Sequence, residues 1–287
     1  MNAGRIVTVR YLKVTTLGTG SPIPDPARAG PATLVQAGDA SLLFDCGRGV
    51  LLRLVAAGIL PGMLHRVFLT HLHSDHVTDL NDVITTRWAM SPVPNPLPLT
   101  GPPGTERLVE RTLAMLEDDI GYRITHHDDL TEPPRCEVTE ALDGVALDGD
   151  VRVLAAPTDH RPVTPTVGYR VEHGGQSVVI AGDTVPCDGL DRLCAGADVY
   201  VQTVIRADLV RQIPSARFQD VIDYHSTVEQ AAATAQRAGV RVLVLTHMVP
   251  GVLAGTEDEW ITRASSAFDG EVVLAHDLLS IDVTDGA

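Results

Sequence analysis

The sequence has too few basic residues for a protein that grips nucleic acid through a broad basic face. Its 287 residues include 22 Lys and Arg against 37 Asp and Glu, so the formal net charge is −15 and the pI is near 5.0. Such a balance repels the phosphate backbone over most of the surface. Any contact with nucleic acid is therefore confined to a small local patch.

Long apolar runs and targeting signals are absent as well. No stretch of about 18 apolar residues occurs. The N-terminal string MNAGRIVTVRYLKV contains no apolar segment followed by small residues, as a secretory signal would. We therefore expect a soluble, cytoplasmic protein that does not associate with a membrane.

Cysteines, repeats and nucleotide-binding motifs are also scarce. The four cysteines have no CxxC spacing, which excludes a zinc ribbon or a disulfide framework, so we expect reduced thiols that fill space. No repeat of about 20–50 residues occurs, which excludes a solenoid. The LGTGS string at 17–21 lacks the spacing of a phosphate-binding loop and predicts a tight turn after the first strand.

What the sequence does contain is ample apolar material, 44% of the chain, in alternating strand and helix patterns. Short β-branched runs predict strands that start at Arg5, Ala32, Ser41, Val67, Val151, Val178 and Val242. Helical periodicity covers 48–58, 79–90, 104–118, 227–239 and 257–268. The alternation predicts an α/β layered fold. The spacing fits a single domain over 1–287 whose two similar halves meet near residue 145.

The helix predicted over 227–239 has the clearest boundaries. Ser226, with Glu229 three residues later, forms a capping box at its start. Gly239 follows the last periodic residue and ends the helix.

Two segments do not fit a regular element. Six prolines in the 13 residues of 91–103 predict a stiff surface loop and exclude a helix or an interior strand. Residues 205–224 form a second irregular stretch, which carries three arginines in an otherwise acidic protein: Arg206, Arg211 and Arg217. Both segments are candidates for the rim of a substrate pocket.

Four apolar runs end in side chains that bind metals. The donors are His71, His73, Asp75 and His76 in FLTHLHSDH, His160 in VLAAPTDH, Asp183 in VVIAGDT and His247 in VLVLTHM. If these strands lie side by side with the same ends together, the donors converge at one edge of the fold, where open sheets generally place their sites. Five other histidines have no such setting, and we expect ordinary surface or core roles for His65, His126, His127, His173 and His276.

Seven donors are too many for one tetrahedral ion. They suit two divalent ions about 3.5–4 Å apart that share a carboxylate, an arrangement that splits phosphate and similar esters. In the HxHxDH turn, His71 and His73 point one way while Asp75 and His76 come round to the other side, so one loop supplies both ions. Nitrogen and oxygen ligands without thiolate indicate Zn²⁺, with Mn²⁺ or Fe²⁺ as alternatives.

These motifs together resemble a known family. THLHSDH, the preceding LLFDCG and the later TDH, AGDT and LTH resemble the metallo-β-lactamase superfamily, and more closely its ribonuclease Z and arylsulfatase-like branch. The opening LGTGSPIPDPARAGPATLV and the HST triplet at 225–227 are similar to that branch, and the resemblance runs from about Thr16 to Met248. It implies an αββα sandwich of two mixed sheets with helices on both outer faces.

The resemblance also implies a ligand set for two zinc ions and a hydroxide between them as the nucleophile. It places His71, His73 and His160 on one zinc and Asp75, His76 and His247 on the other, with Asp183 bridging.

Three further roles follow from the same resemblance. Asp75 accepts the proton of the attacking water. His225 protonates the leaving oxygen or stabilises the charge that grows on phosphate. Asp45, in FDCG, orients a metal ligand from behind.

Some segments depart from the ribonuclease Z pattern. The Gly/Pro-rich arm that those enzymes carry after the third metal histidine is missing, because His160 and Asp183 lie only 23 residues apart and GYRVEHGGQSVVIAGDT predicts two strands joined at His173–Gly175. Ser74 replaces a usual glycine, and HMVPG follows the last strand. GlnThrVal at 202–204 occupies the place of a Glu-containing motif.

Three functions are open on these residues. The leading hypothesis is a two-zinc phosphodiesterase of ribonuclease Z type, which acts on the 3′ trailers of precursor tRNA or on smaller phosphodiesters. The second is an arylsulfatase-like or other small-ester hydrolase with the same site, and the third is a non-catalytic metal-binding scaffold. The branch also suggests a homodimer, in which the apolar helix 48–58 either forms the interface or packs on the sheet.

Overall fold

A computed structural model describes residues 11–284 as two β-sheets stacked between outer helices; the strand predicted from Arg5 lies outside these residues. The first sheet contains β1 (Leu12–Gly18), β2 (Ala32–Ala37), β3 (Ala40–Phe44), β4 (Arg66–Phe68), β5 (Leu97–Gly101) and β6 (Cys136–Glu140). The second contains β7 (Gly144–Leu147), β8 (Arg152–Pro157), β9 (Val167–His173), β10 (Gln176–Ile180), β11 (Val199–Ile205), β12 (Val242–Val249) and β13 (Glu271–Leu274). The last strand, β14 (Leu279–Val283), returns to the first sheet.

Both sheets are mixed and repeat one pairing pattern. Their orders are β14-β1-β2-β3-β4-β5-β6 and β7-β8-β9-β10-β11-β12-β13. In each order the first three pairs are antiparallel and the last three are parallel. The chain passes from the first sheet to the second between β6 and β7.

Helices follow the strands in both halves. The first half contains α1 (Val50–Ala56), α2 (Ser74–Val77), α3 (Leu80–Met90), α4 (Thr105–Met115) and α5 (Glu117–His126). The second half contains α6 (Asp188–Cys194), α7 (Ala207–Val210), α8 (Ala216–Gln219), α9 (Val228–Ala238) and α10 (Glu257–Ser265). Short 3₁₀ turns occur at Pro61–Met63 and Asp220–Asp223. Within residues 11–284, no helix has the length and apolar character needed to cross a bilayer.

Three apolar layers hold this arrangement together. Between the sheets, the rings of Phe44 and Phe68 stack with centroids 4.9 Å apart, and both meet the ring of Tyr169 from the opposite sheet. On the outer side of the first sheet, Leu54 of α1 joins a buried cluster with the strands. On the outer side of the second sheet, Trp260 of α10 does the same. The αββα sandwich of two mixed sheets is therefore confirmed.

Most predicted elements are confirmed, with shifts at their ends. The strands predicted from Ala32, Ser41, Val67, Val151, Val178 and Val242 are β2, β3, β4, β8, β10 and β12. The helix predicted over 104–118 is α4, and a second helix, α5, follows it directly. β1 was not predicted. It lies between β2 and β14 and pairs with both.

The exclusion of an interior strand from 91–103 was wrong. β5 lies between β4 and β6 and contains Pro98. The N–H of Leu97 points toward β6 and donates to the carbonyl of Arg135. Backbone N–H groups alternate in direction along a strand, so the N–H that Pro98 lacks would have pointed toward β4. Pairing with β4 begins only at Leu99, opposite Val67, so the donor that proline lacks falls at the end of that ladder.

Beyond the last residue of β11, residues 205–224 contain only short helical turns, α7, α8 and a 3₁₀ turn, and Arg206 does not lie at a pocket rim. Its guanidinium is buried, donates to both carboxylate oxygens of Asp208 at 2.8 Å, and lies over the ring of Trp260. Arg206 therefore ties the end of β11 to α10.

The capping box of α9 lies one residue later than predicted. Thr227 is the N-cap: its side chain accepts from the Gln230 N–H, and the Gln230 side chain accepts from the Thr227 N–H. Ser226 instead donates its hydroxyl to the carbonyl of Thr184 at 2.7 Å. The predicted box of Ser226 with Glu229 was therefore wrong, because Ser226 is engaged in anchoring the preceding loop.

The two sheets meet most closely where their strands end. Beyond β4, the carbonyl of Leu69 accepts from the Tyr169 hydroxyl and the carbonyl of Thr70 accepts from the Val167 N–H. Opposite them, Gly182 turns the chain after β10 with φ +67°. A Cβ on Gly182 would lie 2.7 Å from Cβ of Thr70. Only glycine allows this approach.

We expect Gly182→Ala to destabilise the fold more than Gly239→Ala. Both glycines have nearly the same φ, +67° and +69°, so both substitutions cost about 1–2 kcal/mol of backbone strain. A Cβ on Gly239 meets nothing within 4 Å. The clash with Thr70 should therefore add about 1–3 kcal/mol at Gly182 alone. Urea unfolding measures both free energies, and equal losses would contradict the proposed contact.

Candidate metal centre

The strand ends bring all seven predicted donors together. They form two groups whose ligand atoms lie within 4.8 Å of one another: His71, His73, His160 and Asp183 in one, and Asp75, His76 and His247 in the other. The three histidines His71, His73 and His160 share one group, and Asp183, which the resemblance places between the two ions, lies with them. The other histidines of the described chain belong to neither group.

The local backbone structure explains how one loop supplies donors to both groups. β4 ends at Phe68, and the chain runs through His71 and His73 before one helical turn, α2, begins at Ser74. That turn reverses the direction in which the side chains of Asp75 and His76 project. Ser74, which departs from the family pattern, is exposed and starts this turn.

Asp183 lies at the centre of the cluster. Its Oδ2 is surrounded by five imidazole Nε2 atoms at 3.3 to 3.9 Å, those of His225, His76, His247, His71 and His160. Asp75 contacts the second group, with its Oδ2 3.1 Å from Nε2 of His247 and 3.6 Å from Nε2 of His76. Each carboxylate thus faces several imidazoles in a buried site.

Hydrogen bonds behind the rings fix which nitrogen faces the cluster. Nδ1 of His160 donates to the carbonyl of Tyr224 at 2.7 Å, and Nδ1 of His225 donates to the carbonyl of Val221 at 2.9 Å. Because a carbonyl only accepts, these Nδ1 atoms carry the proton and each Nε2 points inward. Nδ1 of His76 donates to Asp45 Oδ2 at 2.8 Å, so Nε2 of His76 also points toward the cluster.

Asp45 joins two parts of the site. Besides His76, it accepts from the N–H and the hydroxyl of Thr70, each at 2.8 Å. Since the Thr70 hydroxyl donates to Asp45, it accepts from Nδ1 of His71, which lies 3.0 Å away. Asp45 therefore orients His76 directly and His71 through Thr70.

Two residues of the site have left-handed backbones. Asp45 has φ +61° and His247 has φ +50°, conformations that are uncommon outside glycine. In β12, the register against β11 shifts between Thr203 and Ile205, so the strand bulges around His247. The bulge re-aims the imidazole toward Asp75 and Asp183.

The electrostatics of the cluster favour positive charge at its centre. Burial lowers the pKa of His76, but the carboxylates of Asp183 and Asp45 outweigh burial and hold that pKa well above its usual value. Burial also lowers the pKa of His247, but the carboxylate of Asp183 outweighs burial and raises that pKa. Burial would raise the pKa of Asp183, yet His247 and His76 hold it well below its usual range.

The first group behaves in the opposite way. Burial, with the neighbouring imidazole of His76, holds the pKa of His71 well below its usual value. Burial lowers the pKa of His160 to about 4. Both rings are therefore neutral near pH 7, the state in which imidazole binds metals.

The donor set fits a divalent metal ion. Nε2 of His76 and Oδ1 of Asp183 are buried atoms of the cluster that make no hydrogen bond. Buried polar atoms without partners are costly, and imidazole and carboxylate donors suit Zn²⁺, Mn²⁺ or Fe²⁺. The cysteines play no part: Cys46 and Cys194 are buried free thiols, and Cys136 and Cys187 are half-buried free thiols.

Several supporting groups were not found from the sequence. Thr70 bridges Asp45 and His71, and its place directly before His71 was the only available signal. The carbonyls of Val221 and Tyr224 left no signal, because every residue has a carbonyl. Gln202, where the family pattern has a Glu-containing motif, is buried and accepts from the Tyr200 hydroxyl.

Comparison with known proteins agrees with this geometry. A family model described as a β-lactamase superfamily domain matches residues 41–248. A protein named ribonuclease Z from Mycobacterium avium is 58% identical over 275 residues, which cover 95% of this chain and 98% of that protein. Another of the same name from Mycolicibacterium gilvum is 55% identical over 278 residues, which cover 96% of this chain and 97% of the relative.

The fold comparison points the same way. The crystal structure of human tRNase Z, short form, superposes with a TM-score of 0.70 at 25% identity and covers 95% of this chain and 100% of that one. These likenesses extend over nearly the whole chain and include the segments that carry the seven donors. The chain therefore belongs to the ribonuclease Z family of the metallo-β-lactamase superfamily.

Proposed function

We propose that this protein is a ribonuclease Z, a metal-dependent hydrolase that cuts precursor tRNA at the 3′ trailer. One observation carries the proposal: two groups of metal donors converge on Asp183, and His225 stands beside them with Nε2 3.3 Å from Oδ2 of Asp183. The relatives named ribonuclease Z, at 55–58% identity, support the choice of substrate.

Two zinc ions fit the two donor groups. His71, His73 and His160 would hold one ion, Asp75, His76 and His247 the other, and Asp183 lies within reach of both. When bound, two such ions polarise a phosphoryl oxygen and lower the pKa of water. Asp45, Thr70 and the carbonyl of Tyr224 hold the imidazoles in the required orientation.

His225 has a different task from the ligands. Its Nδ1 is engaged by the carbonyl of Val221, so only Nε2 is available for exchange with a substrate. Nε2 lies at the side of the cluster, 3.3 Å from Oδ2 of Asp183. We assign His225 as the general acid that protonates the leaving oxygen, and Asp75 as the group that accepts the proton of the attacking water.

The small-ester alternative keeps one supporting observation. Between His160 and Asp183 the structure contains only the hairpin of β9 and β10, in place of a long arm. A protein without such an arm has less surface with which to hold a whole tRNA. Aryl sulfates and carboxylic esters are therefore the comparison substrates.

A homodimer through α1 is the second part of the proposal. Val50 and Leu54 are buried against the sheet, whereas Leu52 and Val55 on the other side of the same helix are 76% and 49% exposed. Met63, in the next turn, is 55% exposed. An apolar face of this kind is typical of an interface. The helix therefore packs on the sheet with one side and offers the other to a second copy.

We expect the zinc-loaded protein to cleave a 3′-extended precursor tRNA after the discriminator base. Asp183→Ala removes the central carboxylate and should lower the rate by at least about 10³-fold, as for other groups that act as a unit. The matched control is Asp150→Ala, because Asp150 is exposed and lies outside both donor groups. Turnover of aryl sulfates or carboxylic esters without any cleavage of RNA would contradict the proposal in favour of the alternative.

We expect His225→Ala to lower kcat for RNA by about 10²–10⁴-fold with metal content unchanged. The loss should be much smaller for bis(p-nitrophenyl) phosphate, because p-nitrophenolate leaves without protonation. Gel-based and absorbance assays give the two rates, with the exposed His126→Ala as control. Equal losses on both substrates would show that His225 is not the general acid.

We expect Leu52→Glu to convert a dimer into a monomer, because it places a charge in the apolar face of α1. Met115→Glu is the matched control, since Met115 is a similarly exposed apolar residue, 68% against 76%, on α4. Light scattering coupled to gel filtration measures the mass. A monomeric wild type would overturn the assignment.

A further inference from the structure

A small cavity lies between the two sheets, next to the donor cluster, and measures about 20 Å³. On the side of the apolar core it is lined by Phe44 and Val201. On the side of the donors it is lined by Asp45, His76 and His247. A water molecule needs about 10–15 Å³ of such volume, so the cavity has room for one.

Three threonines supply further polar side chains to this cavity, one from each of three strands. They are Thr33 of β2, Thr203 of β11 and Thr246 of β12. Side chains two residues apart in a strand share a face, and two residues farther from the donors these faces carry Val35, Val201 and Val244. Threonine thus occupies a layer in which the strands would otherwise continue with valine, and it differs from valine by a hydroxyl in place of a methyl group.

The hydroxyls of these threonines make no hydrogen bond to another residue within 11–284. Thr16 of β1, at the equivalent position of its strand, differs in this respect, because its hydroxyl donates to the carbonyl of His276 at 2.9 Å. Thr33 and Thr203 are only 6% and 4% exposed. A buried hydroxyl without a partner is unfavourable, so the three threonines favour a polar occupant of the cavity.

His247 adds a fourth polar group without a partner. Its Nε2 faces Asp75 and Asp183, and its Nδ1 is buried and makes no hydrogen bond in the described part of the chain. In the four other imidazoles around Asp183, Nδ1 is held by a carbonyl, by Asp45 or by the Thr70 hydroxyl. A ring that binds a metal through Nε2 carries its proton on Nδ1, so this atom of His247 needs an acceptor.

We propose that the cavity is a hydration site, in which one ordered water accepts the Nδ1–H of His247, bonds to the threonine hydroxyls and so orients this metal ligand. The inference rests on the proposed function only in taking His247 as a ligand. A buried water typically makes about three hydrogen bonds to polar groups without other partners, and four such groups line this cavity. Each hydroxyl can donate or accept, so the water can be satisfied in both senses.

The water also joins the two sheets at the donor edge. Thr33 belongs to the first sheet, whereas Thr203 and Thr246 belong to the second. The threonines are therefore positioning residues that act on the metal through the water and His247. Loss of a group that holds a metal-binding imidazole from behind typically lowers metal affinity by about 10–100-fold.

High-resolution crystallography tests the occupant of the cavity. In the zinc-loaded protein we expect one density peak within about 3.2 Å of Nδ1 of His247 and of at least two threonine hydroxyls. Crystals of the metal-free protein should show the same peak, so this result depends on neither zinc binding nor activity. An empty cavity would overturn the inference, as would a peak with six oxygen neighbours at about 2.3–2.6 Å, which marks a cation.

Thr203→Val tests whether the hydration site acts on the metal, because it keeps the shape of the side chain and removes its hydroxyl. We expect the affinity for the weaker zinc ion to fall by about 10-fold, and by about 100-fold when Thr33→Val is added. Competition with a chromophoric chelator measures this affinity. Thr203→Ser restores the hydroxyl and should restore the affinity.

Thr15→Val is the matched control. Thr15 is as buried as Thr203, 3% against 4% exposed, but its hydroxyl bonds to that of Ser280 and it does not line the cavity. Its zinc affinity should equal that of the wild type. Unchanged affinity in the double valine variant would overturn the positioning role, and so would a loss in Thr203→Ser as large as that in Thr203→Val.

Nuclear magnetic resonance of the zinc-loaded protein, labelled with ¹⁵N-histidine, provides a readout that does not depend on affinity. The Nδ1–H of His247, assigned from its absence in His247→Gln, should show cross-relaxation with water in the wild type and lose it in the double valine variant. A wild type without this contact would overturn the inference. If the chain binds no zinc, the proposed function fails, and the crystal structure of the metal-free protein still decides the hydration site.

Discussion

The burial of Asp183 among five imidazoles is the constraint on which the rest of the structure depends. Its Oδ2 lies within 3.9 Å of Nε2 of every one of them, and all six side chains are buried. Removing so many polar groups from water is costly unless a positive charge compensates the carboxylates. Protons on His76 and His247 offer one compensation, as their raised pKa values show. A divalent metal ion held by these donors would compensate the carboxylates more strongly.

Several contacts near this edge of the fold hold the metal donors in place. Gly182 allows the turn after β10 to pack against Thr70. The Thr70 hydroxyl is in turn hydrogen-bonded to both Asp45 and His71. The left-handed backbones of Asp45 and His247 show that local conformational energy is spent to aim side chains. Orientation fixed in advance lowers the cost of binding metal and substrate.

The sequence was most informative where metal-binding residue types follow the ends of predicted strands. Donors at the ends of β-branched runs indicated the edge of the fold at which they meet, and the resemblance supplied their division between two ions. Two kinds of feature escaped prediction. Pro98 argued against a strand, because composition does not show which neighbour a missing N–H would face. The carbonyls at Val221 and Tyr224 act through the backbone, so no residue type marks them.

The metal content of the chain tests the central claim most directly. After zinc loading and removal of excess ion, mass spectrometry of the dissolved metal should find two zinc ions per chain in the wild type. Asp183→Asn keeps the shape of the side chain but removes its charge, and it should lose at least one of the two ions. A wild type that retains no zinc, or a variant that retains as much as the wild type, would contradict the account.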